Sequence, residues 1–301
     1  MPSTQHSHGL GWLPDYPDFR DYSQNSDEVS PLLKKLNMPA AKRTARSRKT
    51  AAAGIGAKSD LREWCAPIED QKSIGSCTAQ AGVGLIEYFE NRAHGDYLDA
   101  SRLFLYKVTR NLMQVSGDTG AYLRTTMGAM KLFGVPPEKF YNYNIADYDD
   151  EPPAFCYAYA ANYQAMSYFR LDTQDVDNAG LVDRIKQYCA GGFPSMFGFT
   201  VYSCISQAND DGKIPFPLNT DNVEGGHAVV VVGYDDKMRI KHTGAGAKPT
   251  TGAFLIRNSW GTDWGDEGYG WLPYEYVLQG QATDWWTLIK SEYVDTGKFG
   301  F

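Results

Sequence analysis

The chain has 301 residues, 43% of them apolar and 14% aromatic, which is enough to bury a full core, and its net charge is −7. Residues 1–60 hold nine basic and six acidic side chains, a net of +3, so with −7 overall the remainder carries −10. An acidic body of this kind excludes nucleic acid as the main partner. No run approaches the roughly 18 apolar residues of a membrane helix, so no membrane partner is expected either.

The opening residues have neither the basic n-region nor the apolar h-region of a secretory signal, which makes the cytoplasm the default expectation. Export by a route without a cleaved signal stays open. Residues 1–40 read as a prosegment-like region. Trp12, Leu13, Tyr16, Phe19 and Tyr22 cluster around Pro14 and Pro17, which favour extended backbone. Ser30 and Pro31 then resemble an N-cap and a first helical residue ahead of Leu32, Leu33, Leu36 and Met38. Residues 41–60, rich in Ala, Gly and basic side chains, read as a flexible linker. From 61 to 301 the pattern is that of one globular body. Helices are expected over 77–91, 100–113, 121–133 and 178–190, and strands over 193–202, 228–235, 253–257, 269–274 and 285–290. Helices first and strands later define an α+β fold with two subdomains meeting at a cleft. The loop 241–252 lacks the order of a phosphate-cradling motif and precedes a strand, so it reads as an exposed hairpin loop.

Five cysteines (Cys65, Cys77, Cys156, Cys189, Cys204) show neither a C-x-x-C pair nor zinc spacing, so no metal or other cofactor is expected. Cys77 stands apart. It follows the small-residue turn Gly75-Ser76 and opens a helix, where free backbone N–H groups and the helix dipole favour the thiolate. Taken alone, such a cysteine is ordinarily buried and inert. A thiolate needs a base, and the base needs an orienting group. His227 follows Gly225-Gly226 and opens an apolar strand; Asn258 ends another strand and offers an acceptor to the imidazole, with Trp260 two residues on to keep water away. Gln71, six residues before Cys77, supplies a neutral amide donor for an oxyanion. Cys, His and Asn in this chain order, with a Gln before the Cys, form a joint pattern that chance seldom gives.

These residues resemble a papain-family cysteine peptidase. The resemblance rests on 71–79, 120–134, 226–234 and above all 258–269, Asn-Ser-Trp-Gly-x-x-Trp-Gly. It implies a helical left wall, a β-rich right wall and an active-site cleft between them. Cys77, His227, Asn258 and Gln71 would be catalytic. Gly120, Ala121, Tyr122, Gly226, Trp260 and Trp264 would bind an extended peptide or protein substrate. The pocket for the second side chain upstream of the scissile bond would lie near Tyr122 and Gly226, with its floor in 281–284. Tyr122 would make an apolar or aromatic side chain the default choice there, and an inward Asp284 would also admit Arg or Lys.

Several positions depart from the family pattern. Ile74 and Asp118 stand where two cysteines usually form a disulfide, Lys72 replaces a glycine, Thr78 a tryptophan, and Ala121 the second glycine of the wall. Relatives often carry a longer inhibitory prosegment. Here the expectation is that residues 12–38 cover part of the cleft as an autoinhibitory segment, the alternative being that they pack elsewhere and only add stability. A thiol acyltransferase or deamidase, or a peptide-binding pseudoenzyme, are the rival functions.

Overall fold

The structure, a computed structural model, describes residues 8–38, 55–163 and 167–301. Most of the expected linker therefore lies outside the described residues. The N-terminal segment contributes β1 (Trp12–Leu13) and α1 (Ser30–Lys35), and β2 (Lys58–Asp60) opens the body. The helical part holds α2 (Cys77–His94), α3 (Arg102–Met113), β3 (Ala121–Tyr122), α4 (Leu123–Phe133) and α5 (Ala154–Ala160). Next come β4 (Ser167–Arg170), α6 (Asn178–Ala190), β5 (Ser195–Tyr202), β6 (Val223–Ile240) and β7 (Thr250–Arg257). The chain closes with β8 (Tyr269–Pro273), α7 (Tyr274–Leu278), β9 (Ala282–Ile289) and α8 (Ser291–Asp295).

Local chemistry accounts for the helix ends. The helix starting at Cys77 stops at Gly95, whose φ of 79° suits a residue without Cβ and whose N–H caps the Asn91 carbonyl. Ser101 accepts from the Phe104 N–H and Asp177 from the Gly180 N–H, so α3 and α6 begin at side-chain caps. That is why α3 starts two residues later than its apolar pattern suggests.

Among the described residues, one sheet has the order β4-β9-β5-β6-β7-β8, with β2 added on β6, and all its pairings are antiparallel. The long strand β6 holds it together. Its first half pairs with β5, and its second half pairs with β7 and β2. The ladder continues past the apolar centre at 228–235, so β6 is longer than its hydrophobic run. Pro273 ends β8 and turns the chain into α7, which takes Tyr274 out of the expected strand. Helix α2 is buried on nearly every side, with α3 and α4 against it in the helical part and β6 across the domain boundary. It is the shared wall of the two subdomains. Nor is the C-terminal end of the expected linker linker-like: Lys58–Asp60 pairs with Asp235, Tyr234 and Gly233 of β6.

The N-terminal segment divides into two parts with different surroundings. In residues 22–38, Val29, Leu33, Leu36 and Met38 are buried in the main core. The Tyr22 carbonyl accepts from the Arg170 N–H, the Tyr188 hydroxyl donates to Gln24 Oε1 at 3.1 Å, and the Leu36 carbonyl accepts from the Phe301 N–H at 3.1 Å. Between the parts lies an exposed loop. Tyr16 and Phe19, from the aromatic cluster around the two prolines, are 87% and 95% exposed. Charge holds that loop instead: Arg124 of α4 pairs with Asp15 and Asp21 and donates to the Tyr16 carbonyl. Replacing Leu33 with Ala should therefore lower unfolding stability by about 2–5 kcal/mol, as for other buried leucines. Chemical denaturation of the two chains measures it.

Candidate active site

Cys77 is the first residue of α2, and Ser76 before it does not cap the helix. The Ser76 hydroxyl is held 2.6 Å from the Tyr143 hydroxyl instead, and that hydroxyl donates to the Gln71 carbonyl at 3.0 Å. The helix N-terminus thus keeps backbone N–H groups free for the sulfur. In place of the absent family disulfide stands a polar clasp. The Asp118 carboxylate accepts from the Gly75 N–H at 2.8 and 3.1 Å and from the Tyr106 hydroxyl at 2.5 Å. Tyr106 in turn accepts from the Gly120 N–H at 3.1 Å. The nucleophile loop and the substrate wall are joined through one carboxylate. Lys72 sits at φ 58°, a left-handed conformation that explains why glycine is customary there, and its ammonium pairs with Asp70 at 2.6 Å.

Gln71 is fully buried and its amide is fixed from both ends. Ser259 Oγ donates to its Oε1 at 2.6 Å; its Nε2 donates to the Ile74 carbonyl at 3.0 Å and to the Gly9 carbonyl at 2.9 Å. Across the cleft, His227 of β6 is held 2.7 Å from Asn258 Oδ1 through Nε2, while its Nδ1 is buried without a protein partner. Nδ1 is the nitrogen left for a thiol. Trp260 stacks on the His227 ring at 4.6 Å and Phe199 meets it edge-on at 5.9 Å. Trp264 lies edge-on to Trp260 at 5.3 Å and packs over Gly270, which makes it a support of that stack.

Residues 8–13 run through this cleft as an arm. His8 stacks on Trp260 at 4.8 Å. The Gly9 N–H donates to the Lys72 carbonyl at 3.0 Å, and the Ala121 N–H donates to the Gly11 carbonyl at 2.8 Å. β1 pairs with β3 in parallel, Trp12 opposite Ala121 and Leu13 opposite Tyr122. A Cβ on Gly11 would fall 1.9 Å from the Gly75 carbonyl oxygen, so only glycine lets the arm lie this close to the nucleophile loop. Trp12 enters a pocket at Gly198 and Gly226, and its indole N–H donates to Asp284 Oδ2 at 3.1 Å.

With the arm in place Cys77 and His227 are both fully buried. Burial pushes the Cys77 thiol up to about 11, against the opposing pull of backbone hydrogen bonds from Ala228, Gly11, Thr78 and Cys77 itself. Burial likewise lowers His227 to about 4, with the Asn258 hydrogen bond acting the other way and His8 adding to the lowering. The pair is therefore neutral in this state.

The five cysteines are free thiols. Cys204, Asp221 and His242 come within 4.8 Å of one another away from the cleft. His242 Nδ1 accepts from the Gly244 N–H at 2.7 Å, and its Nε2 lies 3.0 Å from Asp221 Oδ2 and 3.1 Å from Gln207 Nε2.

The sequence reading missed Ser259, Tyr143, Asp118 as a clasp, and Arg170. Ser259 was within reach, because it lies inside the Asn-Ser-Trp string next to Asn258. Tyr143 and Arg170 carry no local signal; only the fold brings them to the site.

An α+β body with a thiol at a helix start on one wall and an imidazole–amide pair on the other defines a cysteine peptidase. Residues 55–280 match the model of the papain family cysteine protease, and the chain belongs to that family. It is 32% identical to xylellain, a cysteine protease from Xylella fastidiosa, with a TM-score of 0.73 over 94% of this chain and 97% of that one. An uncharacterized peptidase C1-like protein of Acanthamoeba polyphaga mimivirus is 30% identical over 96% of this chain and 89% of its own length. Cathepsin K of Gallus gallus is 29% identical over 68% of this chain and 54% of its own length.

The fixed Gln71 amide gives a graded expectation for peptide hydrolysis. Gln71→Ala should lower kcat by roughly 10²–10³-fold, the usual effect of losing an oxyanion donor. Ser259→Ala should lower it by roughly tenfold with KM held, because one hydrogen bond of about 1.4 kcal/mol to the donor is lost. Steady-state kinetics of the two variants give the ordering.

Proposed function

We propose that this peptidase is an endopeptidase working through an acyl-enzyme, and that residues 8–13 are its own inhibitory arm. Cys77 is the nucleophile and His227 Nδ1 its proton partner. Attack joins Sγ to the scissile carbonyl carbon, and the negative charge that develops on the carbonyl oxygen is held by Gln71 Nε2 and the Cys77 N–H. His227 then gives the leaving amine its proton, the C–N bond breaks, and His227 activates the water that hydrolyses the thioester. Asn258 fixes the imidazole plane and Trp260 shields that hydrogen bond. Gly120, Ala121 and Tyr122 pair with the substrate backbone along the wall.

One observation carries the inhibitory reading: the amide that would hold the oxyanion already donates to a peptide carbonyl of the arm, that of Gly9. The direction of the chain supports it further. In a substrate, the residue in the upstream pocket precedes the carbonyl under attack. In the arm, Trp12 follows Gly9, so the arm runs backwards and offers no correctly ordered bond for cleavage. The segment is not inhibitory along its whole length, since the burial of residues 22–38 in the core favours a structural role there.

Deletion of residues 1–13 should therefore raise peptide hydrolysis and speed alkylation of Cys77, whereas a cut within 39–54 should change neither. Equal rates in the deleted and full chains would sink the inhibitory reading. Cys77→Ala should abolish hydrolysis with the fold retained, and Asn258→Ala should be milder because Asn258 exchanges no proton. Product analysis separates hydrolysis from acyl transfer and deamidation, and the absence of any turnover would favour the pseudoenzyme.

The pH profile supplies an independent check. A thiol raised to about 11 is almost wholly protonated at neutral pH, so in the full chain alkylation should climb steadily as pH rises toward that value. Removing the arm rehydrates the pair and lets thiolate and imidazolium coexist. The deleted chain should then react on a plateau extending well below pH 7, read as alkylation rate against pH.

A further inference from the structure

The pocket that holds Trp12 has a floor unlike a simple acidic one. Asp284 and Arg170 have no exposed side-chain surface, and Arg170 Nη1 lies 3.2 Å from Asp284 Oδ1. The same Oδ1 accepts from Trp286 Nε1 at 2.7 Å. Arg170 is shared further with Asp172, at 2.9 and 3.1 Å, and with Asp21 at 3.5 Å. One buried guanidinium thus sits among three carboxylates and lies against Oδ1 of Asp284. What the floor shows to the pocket is one carboxylate oxygen, Oδ2, whose donor is the Trp12 indole N–H.

The walls select shape. A Cβ on Gly198 would lie 1.9 Å from the indole Cε2, and one on Gly226 would lie 2.9 Å from its Cε3. The two glycines therefore shape a flat slot as deep as an indole. Asp284 itself adopts φ 64°, a left-handed conformation that aspartate tolerates better than most residues. Burial raises its carboxyl to about 7, with Arg170 and both indole donors opposing the rise. A slot with one acceptor at its end rewards a planar ring bearing one donor. A ring without a donor leaves Oδ2 unpaired, and a cation meets the guanidinium already seated behind it.

We propose that Asp284, held by Arg170, makes this enzyme selective for substrates carrying tryptophan in the slot filled by Trp12, with tyrosine next. Phenylalanine and leucine are poorer, and arginine and lysine are disfavoured. This rests on the peptidase and arm readings above, and it replaces the expectation that Asp284 admits basic side chains.

The test uses the full chain carrying Trp12→Ala, which empties the slot. A series of fluorogenic tripeptide amides is compared, differing only at the slot residue: Trp, Tyr, Phe, Leu or Arg. The expected kcat/KM for Trp is at least about tenfold above Phe, with Arg lowest, the effect of one buried hydrogen bond to the carboxyl oxygen. Adding Asp284→Asn should bring the Trp/Phe ratio toward one. If that double variant fails to fold, the series on Trp12→Ala alone still decides. A flat series or a preference for Arg overturns the proposal. The same peptides titrated calorimetrically onto Cys77→Ala/Trp12→Ala separate the two readings. The expected binding order without any hydrolysis by Trp12→Ala or by the chain lacking residues 1–13 would overturn the peptidase mechanism and uphold the slot. Hydrolysis with no order would do the reverse.

Discussion

One carboxamide has all its principal hydrogen-bonding positions committed, and the geometry of the cleft depends on it. Gln71 gives one N–H to Ile74 and the other to Gly9, and takes a proton from Ser259. A buried amide satisfied at this many points cannot rotate without leaving a polar group unpaired, a loss of about 1–3 kcal/mol for each. The Gln71 N–H also donates to the Ser259 carbonyl at 2.9 Å, so the loop before the nucleophile and the strand end carrying Asn258 are tied through backbone as well as side chain. Distance across the cleft is thus set by hydrogen bonds rather than by covalent links.

The clasp at Asp118 follows the same logic. Where a disulfide would join the nucleophile loop to the substrate wall, one carboxylate gathers the Gly75 N–H and the Tyr106 hydroxyl, and that hydroxyl gathers the Gly120 N–H. Such a link needs no oxidising compartment to form, and it holds as long as its donors stay dry.

Much of this was legible in the sequence, because the signals were local. A cysteine after Gly-Ser at a helix start, a histidine after Gly-Gly and the Asn-Ser-Trp-Gly string each announce themselves within a few residues. Helix α6 was found at its true ends because an aspartate caps it and Gly191-Gly192 stops it. Other features had no local signal. Short elements such as β4 and α5 carry too few residues for a periodicity, and β1 and β3 exist only because each pairs with the other. The exposure of Tyr16 and Phe19 ran against their hydrophobicity, since two ion pairs to Arg124 decide where that loop lies. Arg170 is invisible in sequence for the same reason: its partners Asp21, Asp172 and Asp284 converge only after the sheet has formed.

The burial of residues 22–38 sets how the arm competes. The arm hangs from an anchor only a short loop away, so its local concentration at the cleft is fixed by chain geometry, on the order of millimolar or above. Its occupancy is therefore independent of how much enzyme is present, and dilution does not free the site. On the proposed inhibitory reading, a substrate enters by competing with that local concentration, each ligand weighted by its own affinity. On that same reading the chain carries a built-in threshold: scarce peptides meet a closed cleft and abundant or tightly held ones open it, with no bond broken and no partner required.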